Sequence, residues 1–114
     1  MNPDEVLPKT VQMRNGRWQL NHTKAHPGGG LFAVTAEWCP HCVQLKNQVV
    51  PKAKELNSFN FFWMDGDKTE DARTKSQQLN IEGFPTLYRI ERDGYLTEYN
   101  GDRSPSGLAQ SFHR

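Results

Sequence analysis

Both cysteines of this 114-residue chain stand in one short motif, Cys39-Pro40-His41-Cys42. An apolar run from Leu31 to Ala36 precedes the motif, and a helical pattern of apolar residues follows it. A Cys-x-x-Cys sequence between a strand and a helix is typical of a dithiol–disulfide redox site. Because closing so short a loop adds little stability, we interpret the pair as chemical rather than structural.

The motif is predicted to lie where a buried strand ends and a helix begins. The run from Leu31 to Ala36 is apolar without alternation, which favours a central strand buried on both faces. Cys39 stands at the position of an N-cap. Pro40 follows at the first helical position, where its missing N–H removes no hydrogen bond. We therefore expect the helix to begin at the motif.

The helix after the motif is predicted to have one apolar stripe and one interruption. Pro51 falls within it and removes a helical hydrogen bond, so a kink or break is expected near Val50. The stripe recurs at helical spacing and comprises Leu45, Val49, Ala53 and Leu56.

The remaining chain alternates between strand and helix patterns. Strands are predicted at Val11 to Arg14 and Arg17 to Leu20 around an Asn15-Gly16 turn, at Phe59 to Met64, at Thr86 to Ile90 and at Tyr95 to Tyr99. Helices are predicted from Asp67, paired with Glu70 as a capping box, to about Leu79, and from Ser104-Pro105, with a further short helix at 21–25 and a loop at 26–30. This order predicts one α/β domain over residues 11–114, with a mixed central sheet flanked by helices on both faces, after a loose leader at 1–10.

Charge and hydropathy exclude several kinds of partner. The formal net charge of +1 gives no electrostatic reason to expect nucleic acid or an anionic membrane surface. The longest apolar stretch is too short to span a bilayer. Residues 1–10 lack the apolar segment of a signal peptide, so a cytoplasmic location is expected. A chain trimmed to its mature form would look the same, which leaves a secretory compartment open.

The spacing of the two cysteines predicts different roles for them. Residues three apart on a helix share a face, so both sulfurs can meet. Cys39 lies at the positive end of the helix dipole, which favours its thiolate and makes it the attacking group. Cys42 lies one turn further in and is expected to be more buried, which makes it the resolving thiol.

The residues around the pair are expected to tune it. His41 adds a titratable cation that stabilises the reduced thiolate form and so makes the pair more oxidising. Trp38 is expected to cover one side of the site. Zinc is one alternative reading of the motif, but the other histidines, His22, His26 and His113, offer no second pair at ligand spacing. Two buried structural cysteines remain the other alternative. We expect no metal and no cofactor, because disulfide exchange requires neither.

Four segments resemble the thioredoxin superfamily, and most closely a single protein disulfide isomerase domain. They are Ala36-Glu37-Trp38-Cys39-x-x-Cys42, Asp65 at a strand end, Gly83-Phe84-Pro85-Thr86, and Tyr99-x-Gly101-x-Arg103. The resemblance covers about Leu31 to Arg114 and implies the thioredoxin fold.

The resemblance also implies site roles. Pro85 would be a cis proline whose loop faces Cys39, and Arg103 would swing toward Cys42 and ease its deprotonation. Substrate would bind along the backbone beside this loop. The expected substrate-binding residues are Trp38, Pro40, Phe84, Pro85 and Thr86.

The sequence departs from the family pattern in places that bear on chemistry. Ala33 stands where family members carry a buried acid that relays the proton of the resolving thiol. Glu37 is the nearest carboxylate and a candidate for that relay, although we expect it near the surface. Asn47 replaces a helix proline. The Pro40-His41 pair is typical of periplasmic disulfide-forming oxidases.

These features lead to one preferred function and two alternatives. The preferred function is a thiol-disulfide oxidoreductase of the oxidase or isomerase type, acting on proteins or peptides with thiols or disulfides. The alternatives are a cytosolic disulfide reductase and a non-catalytic peptide-binding module. Glutathione or a reductase is expected to reset the pair, and the chain is expected to be a monomer.

Overall fold

Strand β4 (Gly30–Thr35) lies at the centre of the sheet, and all six of its residues are buried. The computed structural model describes residues 4–22 and 30–112. The other strands are β1 (Asp4–Glu5), β2 (Val11–Arg14), β3 (Arg17–Leu20), β5 (Asn60–Asp65), β6 (Thr86–Ile90) and β7 (Leu96–Glu98). The helices are α1 (Pro40–Gln44), α2 (Val50–Asn57), α3 (Glu70–Gln78) and α4 (Pro105–Ser111).

The five-stranded sheet is mixed and has the order β1-β5-β4-β6-β7. Strands β1, β5 and β4 are parallel, whereas β6 and β7 pair antiparallel to their neighbours. Strands β2 and β3 form a separate hairpin around Asn15 and Gly16, both with positive φ. The thioredoxin fold predicted from the sequence, a mixed central sheet with helices on both of its faces, is confirmed.

Alternating residues of β4 divide the core into two halves. Phe32 and Val34 pack on one face of the sheet, in a cluster that includes Leu79 at the end of α3. Leu31 and Ala33 pack on the other face, where helix α2, the turn before it and helix α4 contribute Leu45, Val50, Ala53 and Leu108. The helical segment that begins at the motif therefore lies against the face that carries Ala33.

The prediction that residues 1–10 are a loose leader is wrong for residues 4–10. Asp4 and Glu5 pair with Phe62 and Trp63 of β5, and Val6 is buried in the core. A short 3₁₀ turn, Pro8–Thr10, then leads into β2. The predicted helix at 21–25 and loop at 26–30 fall mostly on residues 23–29, which lie outside the described residues.

A π-helical turn, Leu45–Val49, separates α1 from α2 directly before Pro51. The predicted interruption near Val50 is confirmed. The wider turn also rotates the following helix, so Val50 is buried and Val49 only partly. The predicted stripe is wrong at its end, because Leu56 is 58% exposed.

Helix α3 is capped by a different residue from the one predicted. The Thr69 hydroxyl accepts a hydrogen bond from the Ala72 amide at 3.0 Å, so Thr69 rather than Asp67 is the N-cap. Asp67 lies two residues earlier in the connecting loop, where its carboxylate accepts a hydrogen bond from the Trp38 indole.

Gly66 joins β5 to the loop before α3 at a point with no room for a side chain. A Cβ atom there would lie 2.7 Å from both Ser76 Oγ and Val34 Cγ1 and 2.8 Å from Phe84 Cε1. We expect Gly66→Ala to lower the free energy of unfolding by about 1–3 kcal/mol, because the packed neighbours must move. Urea denaturation measures this. Gly83→Ala, whose Cβ would meet nothing within 4 Å, is the control and should be neutral or slightly stabilising. Equal losses in the two variants would contradict the steric argument.

Candidate active site

Cys39 is the N-cap of α1, and Pro40 occupies the first turn, as the sequence predicts. The Cys39 amide donates to the Ala36 carbonyl at 3.1 Å, which fixes the chain as it leaves β4. Both cysteines are free thiols; Cys39 is 5% exposed and Cys42 is completely buried. The outer sulfur is therefore Cys39 and the inner one Cys42.

The loop that ends at Pro85 lies directly against Cys39. The Cys39 thiol donates to the Phe84 carbonyl, with Sγ and the oxygen 3.5 Å apart. The Phe84–Pro85 peptide bond is cis, which confirms what the resemblance implied for Pro85. The Phe84 ring packs against the cluster formed by Ala36, Cys39 and Cys42.

Burial controls the acidity of Cys42. Desolvation is the largest cause that raises the pKa of Cys42 to about 12, followed by a hydrogen bond with the Cys39 side chain. A backbone hydrogen bond from Ala36 and the charge of Lys46 act in the opposite direction but are smaller. Cys42 is thus protonated at neutral pH and must lose its proton within the site before it can attack.

This raised pKa predicts how stability depends on pH. Above about pH 9 the unfolded chain loses the Cys42 proton, whereas the folded chain keeps it to about pH 12. Unfolding is therefore favoured as pH rises through this window, and the reduced protein should lose about 1 kcal/mol of stability per pH unit. Denaturation of the reduced protein at several pH values measures the slope.

Two variants isolate the contribution of Cys42 to this slope. Cys42→Ala should show a shallower decline, since it removes the group. Tyr88→Phe removes another buried group that titrates in the same pH range, because burial and then Glu98 raise the pKa of Tyr88 to about 12. Identical slopes in the wild-type protein and in Cys42→Ala would contradict the assignment.

Trp38 flanks Cys39 and is held by a residue that the sequence analysis did not assign to the site. Its indole N–H donates to Asp67 Oδ2 at 2.9 Å, and its ring meets Phe84 edge-on with centroids 5.7 Å apart. Trp38 nevertheless remains 66% exposed. The sequence places Asp67 just before a predicted helix, and that position favoured a helix-capping role over a role in the site.

A groove of about 490 Å³ runs beside the motif and brings together residues that are far apart in sequence. His41 and Arg103, both exposed, line this groove together with Phe84 and Pro85. Thr86 begins β6 at the end of this loop, and its hydroxyl donates to the Gly83 carbonyl at 2.7 Å.

A second depression, of about 580 Å³, lies on the other side of α1. Glu37, Trp38 and Pro40 line it together with the exposed Val43. Glu37 is at the surface, as expected, and forms an ion pair of 3.1 Å with the exposed Lys68. Its carboxylate is therefore engaged away from the buried thiol.

Two further findings concern the described residues. No group of three or more His, Cys, Asp or Glu residues within 4–22 and 30–112 could hold a metal ion. Within the same ranges, no helix has the length and apolar character needed to cross a membrane.

Comparison with known proteins places this fold and motif in a family. The chain is 28% identical over 108 residues to rat protein disulfide-isomerase A4. The aligned region covers 93% of this chain and 16% of the relative. A zinc-bound form of human ERp44 superposes with a TM-score of 0.58 at 27% identity, covering 73% of this chain and 25% of that one. Full-length ERdj5 shares the fold over 96% of this chain, with a TM-score of 0.61 at 16% identity. The thioredoxin family model matches residues 11–114. The chain therefore belongs to the thioredoxin family.

Proposed function

We propose that this chain is a thiol-disulfide oxidoreductase of the oxidase or isomerase type that acts on protein disulfides through Cys39 and Cys42. One observation carries the proposal. Cys39 stands at a helix start, beside the Phe84 carbonyl, with Cys42 buried behind it and hydrogen-bonded to it. An outer thiol beside a backbone acceptor and an inner thiol in contact with it form an arrangement suited to disulfide exchange.

The two cysteines act in sequence. The Cys39 thiolate attacks one sulfur of a substrate disulfide; a bond forms from Cys39 to that sulfur, and the other substrate sulfur leaves as a thiolate. Cys42 then loses its proton and attacks Cys39 Sγ. The Cys39–Cys42 disulfide forms, and the second substrate thiolate is released. The substrate gains two electrons and the pair loses them; oxidation of a substrate dithiol is the reverse of these steps.

Substrate would lie across the apolar surface around Cys39. Trp38 presents two thirds of its surface to solvent, and Phe84 contacts its ring. The backbone at Phe84 lies within hydrogen-bonding distance of the reacting sulfur, so an extended peptide paired alongside Pro85 and Thr86 would bring its own sulfur to Cys39. Pro40 forms the exposed edge of the neighbouring depression. This surface favours substrates that are unfolded or misoxidised polypeptides over one defined ligand.

The residues around the groove favour the oxidising direction. His41 is exposed beside the motif, and its cationic form stabilises a thiolate on Cys39 and hence the reduced pair. Stabilising the reduced form makes the disulfide a stronger oxidant. Arg103 lines the same groove as His41, and we propose that its guanidinium approaches the motif while Cys42 is deprotonated.

An oxidising compartment suits this chemistry, and we propose a secretory location. The cytoplasmic location expected from the sequence finds no support in the relatives, one of which is named a protein disulfide-isomerase. Glutathione or a reductase would reset the pair, and we propose that the chain acts as a monomer without metal, cofactor, nucleic acid or membrane.

Refolding of a reduced, multi-disulfide protein in a glutathione buffer tests the proposal. The wild-type chain should accelerate recovery of the native disulfides, and the double variant Cys39→Ser, Cys42→Ser should not. Asn47→Ser, at an exposed helix position, serves as a control that should match wild type. Net reduction of the substrate without recovery of native pairs would favour the disulfide reductase instead.

A further inference from the structure

Thr35, the last residue of β4, carries a buried hydroxyl group without a hydrogen-bonding partner. Its side chain is completely buried. Among residues 4–22 and 30–112, it is the only buried side-chain nitrogen or oxygen left unpaired. A buried hydroxyl in this state has lost its hydrogen bonds to water and gained none, which destabilises a fold and requires an explanation.

The position of Thr35 in the sheet places its side chain on the face that packs against the helical segment carrying Cys42. Side chains alternate along a strand, so Thr35 shares a face with Leu31 and Ala33. That face packs against the helical segment that begins at the motif. The residue after Thr35, Ala36, forms a backbone hydrogen bond with Cys42. Thr35 therefore directly precedes the residue that contacts the buried sulfur.

Cys42 needs a polar partner when its charge appears. Burial opposes formation of its thiolate. Ala33, on the same face of β4, has no polar group, and Glu37 is paired with Lys68 at the surface. A preorganised donor that is unpaired in the resting thiol but bonded to the thiolate would favour the charged state selectively.

We propose that the Thr35 hydroxyl donates a hydrogen bond, directly or through one bound water, to the Cys42 thiolate as it forms in the resolving step. The inference rests on the proposed disulfide exchange. In that step the Cys42 proton leaves to solvent, and the thiolate electron pair forms the bond to Cys39 Sγ. The bond from Cys39 to substrate breaks, and the substrate sulfur departs with the electron pair. Thr35 keeps its own proton throughout.

Other charged groups around the pair are the same in every variant of Thr35. Lys46 follows Cys42 on the helical segment and acts on it electrostatically. Asp65 pairs with Thr35 in the register of β5, and its carboxylate accepts the Asp67 amide at 2.9 Å. The titratable and charged groups that could also affect the pH dependence of the resolving step are thus Cys39, His41, Lys46, Asp65 and Arg103.

Single-turnover kinetics with a disulfide-bonded peptide separate the two steps of the exchange. Thr35→Val keeps the shape but removes the hydroxyl, and Thr35→Ser keeps the hydroxyl but removes the methyl group. In Thr35→Val we expect the mixed disulfide to form at the wild-type rate and to resolve about tenfold more slowly at pH 7, since a hydrogen bond to a charged group is lost. The pH profile of resolution should move upward by about one pH unit. Thr35→Ser should keep the wild-type profile.

Conformational stability is a second readout, and in these variants it should not follow the rate of the resolving step. Thr35→Val removes an unpaired buried group, so its denaturation midpoint should equal or exceed that of wild type, while its resolution is slower. Thr35→Ser loses packing and should be less stable, while its resolution is unchanged.

The outcomes distinguish this inference from the proposed function. Wild-type resolution in Thr35→Val, equally slow resolution in both variants, or a pH profile that moves with Asp65→Asn but not with Thr35→Val would each overturn the inference alone. If the wild-type chain forms no mixed disulfide with the peptide, the proposed function fails and the inference fails with it.

Discussion

Replacing Cys39 with serine is expected to abolish disulfide exchange, whereas replacing Cys42 with serine is expected to leave the first step intact. The reason is the asymmetry of the site. Cys39 is the slightly exposed sulfur, at 5%, beside the Phe84 carbonyl, and Cys42 is completely buried. A hydroxyl group is not a nucleophile for sulfur at neutral pH, so Cys39→Ser should lower the rate to that of the buffer alone.

Cys42→Ser should accumulate a covalent complex, because nothing within the site can release the substrate from Cys39. Non-reducing electrophoresis after incubation with a scrambled disulfide protein would show a band at the summed mass in Cys42→Ser and none in Cys39→Ser. The double variant is the control for non-covalent association. A stable complex formed by Cys39→Ser through Cys42 would contradict the assigned order of attack.

Replacing Phe32 with alanine should cause a large loss of conformational stability. Phe32 is completely buried at the centre of β4, where it pairs with Phe62 on one side and Tyr88 on the other. Its ring also contacts that of Tyr88, with centroids 5.9 Å apart. Removing it leaves a cavity between the sheet and the α3 side of the core, which lowers the free energy of unfolding by about 3–5 kcal/mol.

That loss is a large part of the total stability of a small domain, which is about 5–15 kcal/mol. Urea denaturation followed by circular dichroism measures it. Leu56→Ala, at a 58% exposed position of α2, is the matched control and should change stability by less than about 0.5 kcal/mol. Similar losses at the two positions would show that the core is not arranged as described.

Local sequence patterns predicted the elements that build the site. The mainly apolar, non-alternating run from Leu31 to Ala36 predicted the central strand, and Cys39 with Pro40 predicted the helix start, because both signals depend only on neighbouring residues. The hairpin from β6 to β7 and the start of α4 at Ser104 followed from alternation and capping in the same way.

The errors arose where contacts distant in sequence decide the outcome. Strand β1 contains only two residues and exists because β5 offers them an open edge, which no local pattern records. At the π-helical turn Val50 is buried instead of Val49, and further along α2 Leu56 is exposed although Ala53 is buried as predicted. Asp67 and Thr69 both precede α3 at plausible capping positions, and only the position of Trp38 shows that Asp67 is engaged elsewhere.

The candidate site was predicted only in part, because contacts between residues distant in sequence also shape it. The motif identified both sulfurs, and the resemblance supplied Pro85 and Arg103. Thr35 could not have been singled out from the sequence, since a threonine at the end of a strand is common. The role proposed for Thr35 depends on the folded chain, in which its hydroxyl has no hydrogen-bonding partner and its strand face packs against the segment that carries Cys42.

The reduction potential of the Cys39–Cys42 pair tests the central claim most directly. The protein would be equilibrated in glutathione buffers of graded potential, and its free thiols would be counted by alkylation at each point. We expect both thiols to disappear together, with a midpoint near the isomerase value of about −180 mV. A midpoint near the thioredoxin value of about −270 mV, or thiols that never pair at any potential, would contradict it.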